Sequence, residues 1–158
     1  MTGDPEPLLG GEALGDALDR LRAAVRPRRA VGGWGTVELD RAEIEVGEAL
    51  ATLGTDPRPG PREAPGDEIL GARCRILRSA GERQLVLLEP STEGRLAAAL
   101  ARHGEGPLAL YLLVAEDAPE RAREAGFALS SEVAGPLGAE RLVITGPRWG
   151  PFVLLVPE

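Results

Sequence analysis

Two stretches of this 158-residue chain recur at one spacing. Residues 70–77 read LGARCRIL and residues 137–144 read LGAERLVI, 67 positions later. Residues 85–90 read LVLLEP and residues 152–157 read FVLLVP, again 67 positions later. Two independent matches at one offset mark an internal duplication, which limits the fold more tightly than any local propensity does. Upstream, the order of elements repeats with a different offset. A strand over Trp34–Leu39 leads into a helix over Asp40–Leu53 ended by Gly54; a strand over Leu108–Val114 leads into a helix over Ala118–Ala125 ended by Gly126. The change in offset is roughly the length of residues 54–68 (GTDPRPGPREAPGDE), whose four prolines and three glycines predict a loop inserted in the first copy.

Each copy is therefore a strand, a helix and then further strands. A sheet that small cannot bury both faces alone, so the copies pack as one unit. The fold class expected is α+β, with two βαβββ-type modules forming cupped, mixed but largely antiparallel sheets and helices outside. Residues 1–32 form an N-terminal extension with an amphipathic helix, 33–90 the first module with the insertion at 54–68, 91–107 a connecting helix and turn, and 108–158 the second module.

The remaining segments fit this plan. Leu14, Leu18, Leu21 and Val25 make an apolar stripe over 11–26, closed by Pro27 within the basic RPRR segment. Such a helix packs on the side of the domain or across a dimer. Strands are predicted over Gly71–Arg78 and Arg83–Glu89, joined by a hairpin turn at Ser79–Glu82. A short helix over 93–103 is closed by Gly104, and strand-like segments follow around Leu129–Val133, Arg141–Thr145 and Phe152–Val156.

Composition excludes several classes of function. The longest apolar run, Leu108–Ala115, is far short of the ~20 residues of a membrane-spanning helix. The opening residues lack a signal peptide's pattern, so a cytoplasmic protein is expected. Cys74 is the single cysteine, which rules out an internal disulfide and suits a reducing compartment. A net charge of −7 and a pI near 4.9 oppose binding to nucleic acid or an anionic membrane. All 18 basic residues are arginine and asparagine is absent, as a GC-rich genome or arginine-based ion pairing would produce. Either way, no lysine is available for a Schiff base or as a general base.

The stretch LLEPSTEGRLAAALARHGEGPLALYLLVAED (87–117) resembles the centre of methylmalonyl-CoA epimerases, with an LLEP-like strand end, a short helix and a G-E-G turn. Ala125-Gly126-Phe127, the Pro-Arg-Trp-Gly turn at 147–150 and the apolar last strand fit the same pattern. The resemblance covers about residues 33–158 and points to the vicinal-oxygen-chelate superfamily, which includes glyoxalases and bleomycin-resistance proteins. It implies substrates bound in sheet cups over a divalent metal, and a homodimer.

Histidine, glutamate or glutamine would hold that metal, since divalent ions of this kind take nitrogen and oxygen donors. The resemblance puts the ligands between Val31 and Trp34, at Val86 or Leu87, at Leu108 or Ala109, and at Val153 or Leu154. A slip of one residue at any of them still yields no donor, and the only histidine, His103, falls at a helix end. No metal and no other cofactor is therefore expected.

Other residues bear on a site. Tyr111, two positions beyond Ala109, shares its sheet face and could meet a ligand in the cup, or sit with its hydroxyl at the edge of the core. Thr36 and Glu38 share one face of the first strand, which is either the cup or an exposed face, and Glu89 ends a strand toward cup or solvent. Trp34 and Trp149 are the aromatic candidates for cup walls, with Trp149 equally suited to covering the core or a dimer contact. Glu105 in the G-E-G turn reads as structural, and Cys74 has no neighbouring histidine to activate it. Ligand contacts are thus expected from Trp34, Thr36, Tyr111 and Trp149, and any proton transfer from Glu38, Glu89 or Tyr111. Three functions compete: a metal-independent protein binding an apolar or aromatic small molecule; a lyase or isomerase acting without metal or with a relocated site; and a degenerate interaction module presenting its N-terminal helix and RPRR segment.

Overall fold

The computed structural model describes residues 12–52, 62–78, 83–144 and 151–158. Helix α1 (Glu12–Val25) buries Leu21 and Val25. It ends where Arg26 takes a left-handed φ of 47° just before Pro27. The guanidinium of Arg121 donates to the carbonyls of Ala24 and Val25 at 3.0 and 3.1 Å, satisfying acceptors that a helix end leaves open. Strand β1 (Arg29–Gly35) then leads to helix α2 (Leu39–Thr52) and strands β2 (Arg62–Asp67), β3 (Ala72–Arg78) and β4 (Gln84–Pro90). Helix α3 (Arg95–His103) connects to the second copy: β5 (Gly106–Val114), α4 (Ala118–Glu124), β6 (Ala128–Leu129), β7 (Arg141–Ile144) and β8 (Phe152–Pro157).

The strands form one eight-stranded sheet ordered β2-β3-β4-β1-β5-β8-β7-β6. The β1–β4 and β5–β8 pairs are parallel and the others antiparallel. The order reads the same from either end if the modules are exchanged, as the duplication requires. The registers agree as well. The cup-facing pair Cys74–Leu88 has its same-face counterpart in Leu142–Leu154, whereas Arg141–Leu155, displaced by 67 from it, puts Leu155 on the helix-covered side. A one-residue register shift between Ala64 and Asp67 recurs in the second copy, between the Leu129–Val143 pair and the Val133–Glu140 bridge. On the cup face Gly33 pairs with Val86 and Ala109 with Phe152, so β1 and β5 are offset by 76 against 66 for β4 and β8, an excess of ten. That excess measures the insertion in the first copy.

Two expectations need correction. The first strand occupies Arg29–Gly35 rather than Trp34–Leu39. Gly32, Gly33 and Gly35 have no side chains with which to display alternation, so the pattern is invisible there. The segment 54–68 is not all loop, because β2 occupies Arg62–Asp67 despite Pro65. β2 is an edge strand and Pro65 falls within its register shift, where a missing N–H leaves no ladder bond unmade. The turn expected at Ser79–Glu82 lies outside the described residues.

One face of the sheet carries the helices. α2 lays Leu39 and Ala42 on Leu77 and Leu87, while α1 and α4 cover Leu112, Val114, Val153 and Leu155. The other face curls into a cup lined by Val31, Cys74, Ile76, Val86, Leu88, Ala109, Tyr111, Leu113, Leu154 and Val156. Leu96, Ala99 and Leu100 of α3 belong to the same cluster and close one end. The curl is deep enough to bring the two edges together, since Glu68 N–H donates to the Ala134 carbonyl at 3.2 Å and Ala134 N–H to the Glu68 carboxylate at 3.2 Å. No helix among the described residues is long and apolar enough to cross a membrane.

At the centre of the curl, β1 runs against β5 with Gly33 opposite Ala109. A Cβ on Gly33 would stand 2.8 Å from the Ala109 Cβ, 3.0 Å from a Leu88 methyl and 3.2 Å from the Tyr111 ring. Gly33→Ala is therefore expected to destabilise the chain by about 1–3 kcal/mol, the usual cost of overpacking, in urea unfolding. Adding Ala109→Gly should recover most of the loss; an unchanged midpoint in the single variant would contradict this packing.

Candidate functional site

The apolar cup holds one group of polar side chains. Tyr111 is wholly buried, and its hydroxyl donates to Asp67 Oδ2 at 2.7 Å. The other oxygen of Asp67 accepts the Leu70 N–H at 2.9 Å, so the turn after β2 holds this carboxyl in place. Glu140, at the start of β7, is also wholly buried, with no backbone or hydroxyl donor directed at either oxygen. A buried carboxyl without donors favours its neutral form. Burial, followed by the neighbouring Asp67, pushes Glu140 up to about 10. Gly135 makes room for this arrangement, since a Cβ there would run into the Glu140 carboxyl. Burial and the adjacent Asp67 likewise push the Tyr111 phenol and the Cys74 thiol well up, so neither is a ready nucleophile.

The expected metal positions lie around this group. Val31, Gly33, Val86, Ala109 and Leu154 face the cup, whereas Trp34, Leu87 and Val153 belong to the helix-covered side. None of these expected positions carries a metal donor. Among the described residues, no three His, Cys, Asp or Glu side chains gather to hold an ion. The usual donor set of a divalent centre does not fit the residues present.

Thr36, Glu89 and the Glu38 backbone belong to a different group, outside the cup. Glu105 Oε2 accepts from the Thr36 hydroxyl at 3.0 Å, the Val37 N–H at 2.9 Å and Arg41 at 2.6 Å. The Arg41 bond, followed by the Val37 N–H, lowers Glu105 to about 2. Glu89 accepts the Leu39 N–H at 3.0 Å, at the start of α2, where a carboxylate offsets the helix dipole. Glu38 is exposed and its N–H donates to the Thr36 hydroxyl at 3.1 Å. Trp34 packs with Val46 and Leu85 under α2. The structure thus separates Tyr111 from Trp34, Thr36, Glu38 and Glu89, and Trp149 lies outside the described residues.

Asp67 and Glu140 escape a sequence reading because their partners are distant in the chain. Asp67 sits in the proline-rich segment, and Glu140 occupies the position equivalent to the apolar Ala72 of the first copy. The lone tyrosine on an apolar strand was the one available signal. A separate surface cleft of about 440 Å³, lined among others by Glu116, Arg123, Glu132 and Arg141, lies on the helix-covered side.

No family model matches the sequence, and no curated protein matches it. Solved structures share its architecture. A Streptomyces coelicolor methylmalonyl-CoA epimerase variant in complex with 2-nitronate-propionyl-CoA is 23% identical, with a TM-score of 0.62 over 84% of this chain and 94% of that one. A methylmalonyl-CoA epimerase in complex with methylmalonyl-CoA and ammonium is 24% identical, with a TM-score of 0.61 and the same two coverages, 84% and 94%. A fusion of a xylose isomerase-like TIM barrel with 4-hydroxyphenylpyruvate dioxygenase is 18% identical, with a TM-score of 0.57 over 85% of this chain and 20% of the fusion. The chain has the vicinal-oxygen-chelate fold.

The neutral Glu140 has a consequence for stability. Its folded pKa stands above its ordinary value of 4.5, so its favourable contribution is complete below about 4.5 and declines as pH rises toward about 10. Urea unfolding between pH 5 and pH 9 should show stability falling with pH, relative to a flatter curve for Glu140→Gln, which keeps the shape and cannot ionise. Parallel curves for the two proteins would contradict a protonated Glu140.

Proposed function

We propose that this chain is a metal-independent small-molecule-handling protein that receives the apolar part of its ligand at the sheet cup. The observation carrying this is the character of the cup-facing positions: glycine, valine, alanine and leucine stand where metal donors are expected, and Asp67 and Tyr111 bond to each other. Each of these side chains is at most 8% exposed, so a ligand would enter by parting the lining. A homodimer in the cytoplasm is part of the same proposal.

A second reading has its own support. Glu140 retains a proton beside Asp67 and Tyr111, and a carboxylic acid kept neutral at pH 7 is a proton donor of the kind an isomerase or lyase needs. One methylmalonyl-CoA epimerase that shares the fold is seen in complex with methylmalonyl-CoA.

Thermal-shift screening in excess EDTA separates the two. The binding proposal predicts that medium-chain aliphatic and aromatic compounds raise Tm by several degrees with the chelator present. Methylmalonyl-CoA incubated with the protein in deuterated buffer should take up no deuterium above the uncatalysed rate. Stabilisation that vanishes with EDTA would contradict metal independence, and catalysed exchange lost in Glu140→Gln would favour the isomerase.

A further inference from the structure

A second polar region lies on the cup face, at the end of the first module away from Asp67. Ala72, Cys74 and Ile76 of β3 face the cup, so alternation carries Arg78 to the same side. Val86 and Leu88 do the same for Gln84, and Val31 for Arg29. Arg78 and Gln84 are paired across β3 and β4, and Arg29 Nη1 donates to Gln84 Oε1 at 3.2 Å. Three neighbouring strands thus place two guanidinium groups and an amide side by side.

Arg78 is the unusual member. It is half-buried, its Nε is fully buried without an acceptor, and no carboxylate pairs with it among the described residues. Arg75, three residues earlier on the opposite face, has Asp40, Glu43 and Glu63 around it. The chain has 25 acidic residues against 18 basic ones, so Arg78 does not lack a partner for want of acids. A guanidinium keeps its charge at any ordinary pH, and a buried N–H without an acceptor is unfavourable. An acceptor supplied from outside the chain would complete it.

We propose that Arg78, with Arg29 and Gln84, forms an anion-binding site at this end of the cup, taking the carboxylate or phosphate head of a small molecule whose apolar part lies toward the cup. The planar fork of arginine suits a bidentate bond to either head group. The site rests on the small-molecule reading above and adds the chemistry of the ligand's polar end.

Calorimetric titration of the full chain with octanoate, octyl phosphate and octan-1-ol tests it. Octanoate or octyl phosphate should bind more tightly than octan-1-ol, and the tighter of the two identifies the head group. Arg78→Gln should weaken the preferred anion by about tenfold, the equivalent of one charge-assisted hydrogen bond, and leave octan-1-ol unchanged. Arg29→Gln, at an exposed position, should weaken it in the same direction if Arg78→Gln fails to fold. Arg123→Gln removes the same charge from the helix-covered side and should have no effect. Equal binding of anions and alcohol, unaltered in the Arg78 and Arg29 variants, would overturn the anion site alone. Failure of all three compounds to bind would overturn the small-molecule reading with it.

Discussion

A carboxyl group enclosed by leucine, valine and alanine must either find hydrogen-bond donors or keep its proton. The cup contains two such groups, and they resolve the problem differently. Asp67 takes the Leu70 N–H and the Tyr111 hydroxyl. Glu140 receives no such donor, and burial beside Asp67 favours its neutral form. The three side chains come from β2, β5 and the start of β7, so their contact joins the first module to the second through the interior of the cup. Removing one member would leave a buried polar group unsatisfied, which costs more than the net value of the bond itself.

The same contact depends on the curvature of the sheet. Asp67 belongs to one edge strand and Glu140 lies beside the other edge, and they meet only because the sheet bends until Glu68 and Ala134 exchange hydrogen bonds. Glycine enables that approach at two places. Gly33 lets β1 lie close under Ala109 and the Tyr111 ring, and Gly135 leaves space for the Glu140 carboxyl. On the outer face, ion pairs fasten helix to sheet: Arg75 of β3 reaches Asp40 and Glu43 of α2, and Arg41 reaches Glu105. Exposed pairs of this kind add little stability individually, so the apolar clusters carry most of it.

The duplicated architecture was legible in the sequence because LGARCRIL and LGAERLVI fall on corresponding strands, β3 and β7, although residues on the same face lie one position off that match. The first strand was not, because three glycines erase the alternation on which strand reading relies. Nor was β2, where Pro65 suggested loop and edge position made it tolerable. The cup position of Tyr111 followed from its two-residue spacing from Ala109. Trp34 did not follow from its aromatic character, because a single residue of phase decides between cup and helix-covered face. Asp67 and Glu140 were beyond reach, since nothing local marks a carboxyl whose partners arrive from 44 positions away, as Tyr111 does for Asp67.

At the positions where metal donors are expected the cup offers an apolar lining, beside the Asp67–Tyr111 pair and the buried Glu140, and the proposed chemistry depends on that lining. Elemental analysis of the chain, expressed in medium replete with zinc, manganese, cobalt and nickel and then freed of loosely bound ions by gel filtration, tests it most directly. The predicted result is no divalent metal in stoichiometric amount. One equivalent of metal retained by the wild-type chain and lost from Asp67→Asn would contradict it, by making Asp67 and Glu140 a metal site.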